Sequence, residues 1–359
     1  MRIPVTKLPP RLVSSLRTWL PLLVIAALLY LLLSAVSPSK LLAAAIHFRL
    51  VYLLPLLATY LVYLVLRALR WHLLLHTFGV PNSALDSILL FTGAQAALLI
   101  PAGQFLLPVL QKSQHGTLIR RSAATVLVQE LLFGVLALPA ALPGASSIPF
   151  AGTLLGIAFA ISVVAGAVML HEPTARACIR LLGHLPFRDH HLASLDDLRR
   201  NVAQLASTRA AIAGSLLDMA AIAAAGTSLF ISLLGLGITG PGWIGATAAY
   251  AFGNAAAVVT SLPGGLGASE DTSTFVLSKM GVAAGPAAAG ILIFRASTLL
   301  FGTALGWTVL VLCRRRFHIH PSIDGIISAI RGCVRQAEAG DQAAVVDRFG
   351  RTLGQQREP

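Results

Sequence analysis

The chain has 359 residues, of which 56% are hydrophobic and 11% are charged, and its mean hydropathy is +0.79. Soluble domains carry about 25% charged residues, so this composition excludes an ordinary soluble domain and predicts a helical membrane protein. A transmembrane β-barrel would show alternating segments of about ten residues, which are not visible here. The formal net charge of +13 does not indicate nucleic-acid binding, because the basic residues lie at the ends of apolar segments.

Apolar segments of about 20 residues are the length that a membrane-spanning helix needs. Six segments meet this requirement: about 19–36, 50–69, 122–141, 148–170, 210–236 and 286–312. Two further apolar segments are interrupted by helix-breaking residues. One covers about 84–111 and is broken at IPAGQ, and the other covers about 242–281 and is broken at SLPGGLG.

The basic residues decide how the interrupted segments sit in the membrane, because cytoplasmic loops carry an excess of Lys and Arg. If both segments enter and return to the same side, the basic N-terminus 1–18, the arginine-rich loop 171–209 and the tail 313–359 are all cytoplasmic. We therefore predict an all-α polytopic membrane protein with about six spans and two re-entrant helical hairpins. The transmembrane part is 19–312, and both termini lie in the cytoplasm.

Two further patterns refine this topology. The tetrapeptide LLFG occurs at 131–134 and again at 299–302, each time after one of the breaks. Together with the opposite entry sides of the breaks, it suggests an inverted pseudo-repeat, which is common in secondary transporters. Within 171–209, leucines at helical spacing predict an amphipathic helix on the cytoplasmic membrane surface.

The break residues are candidates for a polar cavity, because irregular backbone at membrane depth survives only inside protein or beside water. Glycine and proline permit the reversal, and the polar residues nearby would line the cavity. The candidates are Pro263, Gly264, Gly265 and Gly267 in the second break, Asn254 before it, and Pro101, Gly103 and Gln104 in the first. Glu270 lies in the first turn after the second break, where an acid complements the helix dipole. The N-terminus of this half-helix could also be aimed at an anionic headgroup, which Glu270 would oppose unless it is paired or protonated.

Ionisable residues inside spans are functional candidates, since each costs at least ~2.5 kcal/mol on insertion scales. Arg295 is the strongest, because it lies about ten residues into the last predicted span. Its candidate partners are Glu270, Glu130 and Asp218. These residues could form an ion pair that only joins the spans, or they could line a charged cavity that contacts substrate, and the sequence does not decide between the two roles.

The segment RALRW is interpreted as lying at the membrane surface and not as part of a site inside the membrane. Arg67 and Arg70 are close to the end of a predicted span, where long basic side chains reach the headgroups, and Trp71 suits the membrane interface. The histidines of 171–209 fit no zinc-ligand spacing, so no metal site and no cofactor are expected.

The motif SLPGGLGASE resembles the PGGLG-x-x-E signature of the lysylphosphatidylglycerol synthase transmembrane family. RALRW, the IPAGQ break, Asp218 and Arg295 also match, and the similarity covers about 15–315. Gln104 stands where the family usually has glutamate, and Asp271 follows Glu270 where the family has an apolar or small residue. The resemblance implies that the chain translocates lipid between leaflets. It does not extend to the soluble aminoacyl-transferase domain, to which the lysyl-transfer chemistry of larger relatives belongs.

The sequence thus favours a lipid flippase of the bacterial cytoplasmic membrane rather than an enzyme. Its substrate would be an anionic or aminoacylated phospholipid or a polyprenyl-phosphate-type lipid. Two alternatives stay open: a membrane-embedded transferase that modifies lipid, and a non-catalytic partner of a lipid-synthesis enzyme. Membrane lipids are the expected partners, and nucleic acid is not.

Overall fold

The computed structural model describes 46–77, 79–80, 82–98, 103–115, 119–146, 148, 151–174, 177, 209–260 and 267–317, together with Ile326, Ser328 and Gly332. The predicted first span at 19–36, the predicted amphipathic helix within 171–209 and most of the tail lie outside these residues.

The described part of the chain is helical and contains no strand. A 3-10 turn at Leu50–Tyr52 leads into the first described α-helix. A second 3-10 turn at Gln95–Ala97 precedes the IPAGQ break, and a third at Gly103–Phe105 begins with its last two residues. The α-helices are α1 (Leu53–Thr77), α2 (Ala84–Ala94), α3 (Leu106–His115), α4 (Ile119–Ala145), α5 (Ala151–Leu170), α6 (Arg209–Gly235), α7 (Gly242–Thr260), α8 (Ala268–Lys279), α9 (Ala284–Leu312) and α10 (Arg314–Phe317).

Three stretches of the described chain are long and apolar enough to cross a membrane: Leu50–Thr77, Ile212–Gly235 and Ala284–Leu312. They coincide with the predicted spans at 50–69, 210–236 and 286–312. The predicted spans at 122–141 and 148–170 fall on α4 and α5, which contain the shorter apolar stretches Leu132–Ala145 and Ala151–Val164. The prediction of a helical membrane protein is therefore confirmed, while the number of crossings stays a prediction.

The second interrupted segment forms two antiparallel helices, α7 and α8. A Cβ on Gly253 would meet Ser269 and Ser273, whereas one on Gly245 would meet Met280, so α8 runs back along α7. With 12 residues, α8 is about 18 Å long, which is shorter than the ~30 Å hydrocarbon core of a bilayer. This length supports a re-entrant hairpin, which remains a prediction.

The first interrupted segment packs against the last long helix. Gly306 on α9 lies so close to the 3-10 turn that an added Cβ would be 2.3 Å from the backbone nitrogen of Ala96. Gly103 is packed as tightly, with its Cβ position 1.8 Å from the carbonyl oxygen of Ala97. Glycine is therefore required where α9 crosses the turn and where the chain resumes after the break.

We expect Gly306→Ala to destabilise the protein, because the clash is with backbone that cannot rotate away. Overpacking of this kind typically costs about 1–3 kcal/mol. Gly156→Ala on α5 is the matched control, since nothing lies within 4 Å of its Cβ position. Thermal unfolding in detergent should show a lower midpoint for Gly306→Ala alone, and equal midpoints for the two variants would contradict the close packing.

The turn after α9 is tied back to the first interrupted segment. Arg316 forms an ion pair with Asp86 at the start of α2. With its amide oxygen turned toward Arg316, Gln114 on α3 accepts hydrogen bonds of 2.9 and 3.0 Å from Nε and Nη2. Phe317 is fully buried in the hydrophobic cluster that also contains Leu110 and Ile326. The end of α9 is thus held against both helices that flank the first break.

Candidate functional site

Four charged side chains from three helices form an ion cluster inside the helix bundle. Arg67 and Arg70 lie on α1, Glu130 on α4 and Asp218 on α6. Arg67 pairs with Glu130, and its Nη1 is 3.7 Å from Oδ1 of Asp218. Arg70 pairs with Oδ2 of Asp218 and donates a hydrogen bond of 3.2 Å to the backbone carbonyl of Gln129. We call these four residues the α1 ion cluster.

The α1 ion cluster is buried except for one carboxylate. The side chains of Arg67, Arg70 and Asp218 are 4%, 1% and 0% exposed, whereas that of Glu130 is 44% exposed. Trp71 is fully buried as well. The interpretation of Arg67, Arg70 and Trp71 as residues that face the membrane surface is therefore wrong. α6 packs along α1, and these side chains are enclosed within the bundle rather than exposed on its outer surface.

A second ion pair joins α8 to α9. Nε of Arg295 lies 2.6 Å from Oε1 of Glu270, and the other oxygen of Glu270 accepts a 2.6 Å hydrogen bond from the backbone N–H of Gly267. Glu270 is 2% exposed and Arg295 is 18% exposed. Gly267 has φ +85°, a backbone conformation that favours glycine. Glu270 therefore both caps α8 and pairs with Arg295.

Tyrosines occupy the space between the two sets of charges. Tyr60 and Tyr63 stack on α1 with ring centroids 5.7 Å apart, and Tyr63 lies close enough to Tyr250 of α7 to interact with it. Tyr250 is close enough to interact electrostatically with both Arg67 and Arg295. Phe133 of α4 packs against the same charges, since the Arg67 guanidinium lies 4.2 Å from its ring centroid. The α1 ion cluster and the Arg295–Glu270 pair thus belong to one polar region, which we call the central polar region.

The structure brings together five of the candidates that the sequence singled out: Gly267, Glu270, Arg295, Glu130 and Asp218. Asn254, one turn beyond Tyr250 on α7, has a buried Nδ2 without a hydrogen-bond partner. Gly103 and Gln104 form the 3-10 turn after the first break, and no described contact joins Gly103 to the central polar region. Pro101, Pro263, Gly264 and Gly265 lie outside the described residues.

Sequence reasoning assigned Arg67 and Arg70 to the membrane surface and missed the three tyrosines. On α1, Tyr60, Tyr63, Arg67 and Arg70 recur every three or four residues, which places them on one helix face. This polar stripe within an apolar span is the signal that could have identified them. Tyr250 has no comparable pattern around it and is revealed only by the packing of α7.

The chemistry of the central polar region suits charged or hydrogen-bonding ligands. Among the described residues, no group of three or more His, Cys, Asp or Glu side chains could hold a metal ion. Two of the ion pairs contain a member that is more exposed than its partner, the carboxylate of Glu130 beside Arg67 and the guanidinium of Arg295 beside Glu270. The region therefore presents one anionic and one cationic contact point.

The family model described as the lysylphosphatidylglycerol synthase TM region matches residues 18–306, a range that contains both ion pairs. No curated protein matches the chain.

Proposed function

The chain belongs to the lysylphosphatidylglycerol synthase transmembrane family, and from that premise we propose that it is a lipid flippase. Membership makes it a membrane protein with a lipid-related function. The finer proposal is movement of a lipid between the leaflets of the bacterial cytoplasmic membrane, with both termini in the cytoplasm. Its substrate is an anionic or aminoacylated phospholipid or a polyprenyl-phosphate-type lipid.

The observation that carries the proposal is the central polar region inside an apolar bundle. Charged side chains inside a membrane are expensive, and they commonly mark the route of a charged substrate. Here the charges are partnered, yet Glu130 and Arg295 keep part of their surface accessible. A lipid headgroup crossing the bilayer needs such contacts, because it loses its water on the way.

The outer surface of the helices suits the lipid tails. Leu54 on α1, Leu216 on α6 and Leu312 on α9 are 77%, 66% and 78% exposed. On helices that are apolar enough to span a membrane, such side chains face hydrocarbon at no cost. A lipid can therefore keep its tails in the bilayer while its headgroup passes through protein. The helical hairpin of α7 and α8 supports this route, because Glu270 and Gly267 lie at its turn.

Reconstitution into proteoliposomes tests the proposal. Fluorescent or isotopically labelled lipids of each class, loaded in one leaflet, should reach the other leaflet faster with the protein than without it. The rate for the true substrate class should exceed that for a neutral lipid. Correctly folded protein that accelerates none of the three classes would contradict a flippase.

Two alternatives give different results in the same preparation. A lipid-modifying transferase would change the mass of a lipid when cell extract supplies a donor, which mass spectrometry detects. A non-catalytic partner would move no lipid alone and would co-purify with a lipid-synthesis enzyme. Lipid movement by the isolated chain, with unchanged lipid masses, distinguishes the flippase from both.

A further inference from the structure

A row of buried polar side chains follows one face of α4. Ser122, Thr125 and Gln129 are spaced by three and four residues, so they lie on the same side of the helix. All three are at most 1% exposed. Ser122 Oγ and both amide atoms of Gln129 have no hydrogen-bond partner among the described residues. We call these three residues the α4 polar face.

The α4 polar face continues into the α1 ion cluster. Arg70 donates a hydrogen bond to the backbone carbonyl of Gln129, which places the two residues in direct contact. The Nε atoms of Arg67 and Arg70 are also buried without a hydrogen-bond partner. The indole N–H of Trp71 is likewise buried without a hydrogen-bond partner. Trp71 belongs to the apolar cluster that also contains Val126 of α4. The unpartnered atoms therefore form one group rather than isolated exceptions.

A neighbouring helix adds to this group. Gln111 on α3 is fully buried, and neither of its amide atoms has a partner among the described residues. α3 packs directly against α4. Buried polar side chains are normally hydrogen-bonded to protein or to ordered water, since an unsatisfied group loses its hydration without compensation. Unpartnered polar atoms thus recur on three helices that pack together, and they point to a polar occupant between these helices.

The chemistry of the group identifies water as that occupant. Guanidinium and indole N–H groups only donate, whereas amide and hydroxyl groups both donate and accept. The α1 ion cluster contains two cations and two anions, so no excess charge selects an ion. We propose that the α4 polar face and the α1 ion cluster enclose bound water molecules. A buried water typically makes about three hydrogen bonds to otherwise unsatisfied groups, which matches this mixed set.

Internal hydration has a direct consequence for the buried charges. Water beside Arg67, Arg70 and Asp218 reduces the desolvation that would otherwise oppose their ionised forms. The same water molecules would also offer hydrogen bonds to Glu130, which is the accessible member of the α1 ion cluster. The inference does not depend on which lipid is moved, or on whether one is moved at all.

Substitution of Gln129 with methionine distinguishes a hydrated site from a dry one. If the site is hydrated, Gln129→Met removes hydrogen bonds to water and lowers the thermal unfolding midpoint by several degrees. If the amide is packed dry, the same change removes an unsatisfied group and raises the midpoint, which would overturn the proposal. Leu132→Met on the same helix is the control, because exchanges of similar apolar volume are usually tolerated.

Hydroxyl-radical footprinting by X-ray radiolysis is a second test, made on the protein in nanodiscs. X-rays convert bound water into hydroxyl radicals where it lies, and these radicals oxidise the neighbouring side chains. We expect oxidation of Trp71 and Val126 although both are buried. Leu229 and Leu233, which are fully buried in a separate apolar cluster, should stay unmodified. Lack of oxidation at Trp71 and Val126 would overturn the proposal. Neither measurement uses lipid transport, so its outcome is independent of the flippase assay.

Discussion

Arg295→Ala should reduce lipid movement in proteoliposomes by at least about tenfold, which corresponds to ~1.4 kcal/mol in the barrier. Arg295 supplies the accessible cation of the central polar region, and its Nε lies 2.6 Å from Glu270. Its loss removes the contact for an anionic headgroup and leaves Glu270 buried without its guanidinium partner. The measurement is the initial rate of headgroup transfer at matched protein density.

Lys279→Ala is the matched control for this prediction. Lys279 is an exposed cation at the end of α8, close to the ring of Phe275, and it takes no part in the central polar region. We expect this variant to move lipid like the parent protein. Arg295→Lys keeps the charge but loses the planar guanidinium, and an intermediate rate is expected. A parental rate for folded Arg295→Ala would exclude Arg295 from the headgroup route.

Glu270→Gln separates the two roles of Glu270. Glutamine can still accept the hydrogen bond from the Gly267 N–H, as it does in other capping boxes, but it carries no charge for Arg295. If Glu270 only caps α8, this variant keeps both transport and stability, whereas Glu270→Ala loses stability. If pairing with Arg295 matters for transport, Glu270→Gln is slowed while its unfolding midpoint changes little.

Asp218→Ala should be the most destabilising single substitution that we predict, with a loss of about 3–5 kcal/mol. Asp218 is fully buried and faces both Arg67 and Arg70. Removing it leaves Arg70 buried with only the Gln129 carbonyl as a described partner, and an uncompensated buried charge is costly. Thermal unfolding in detergent measures the effect, and it should be much larger than that of Gly306→Ala.

The double variant Asp218→Leu with Arg70→Met is the control for Asp218→Ala. Replacing both members of a buried ion pair by apolar residues is often neutral or stabilising, whereas removing one member is not. We therefore expect the double variant to unfold at a higher temperature than Asp218→Ala. If the double variant is equally unstable, volume or packing at α6 rather than the buried charge explains the loss.

Much of the candidate site could be named from the sequence, because a charge inside an apolar span is conspicuous. Arg295, Glu130 and Asp218 were identified in this way and Glu270 by its position after the second break, and the structure places each of them in an ion pair. The partner of Arg295 could not be chosen, since separation along the chain does not show which of the three carboxylates packs against it. Arg70 was misassigned because its position near the end of α1 resembles that of a headgroup-facing arginine.

The sequence by itself determined that this is an apolar helical membrane protein of the lysylphosphatidylglycerol synthase transmembrane family. Hydropathy, helix breakers and the PGGLG-x-x-E motif are local properties, so they can be read without knowing which helices meet. Only the tertiary structure decided the pairings, such as Arg67 with Glu130 across 63 residues. A polar stripe shows which face of a helix points inward but not which helix lies opposite it, and partner choice then depends on packing.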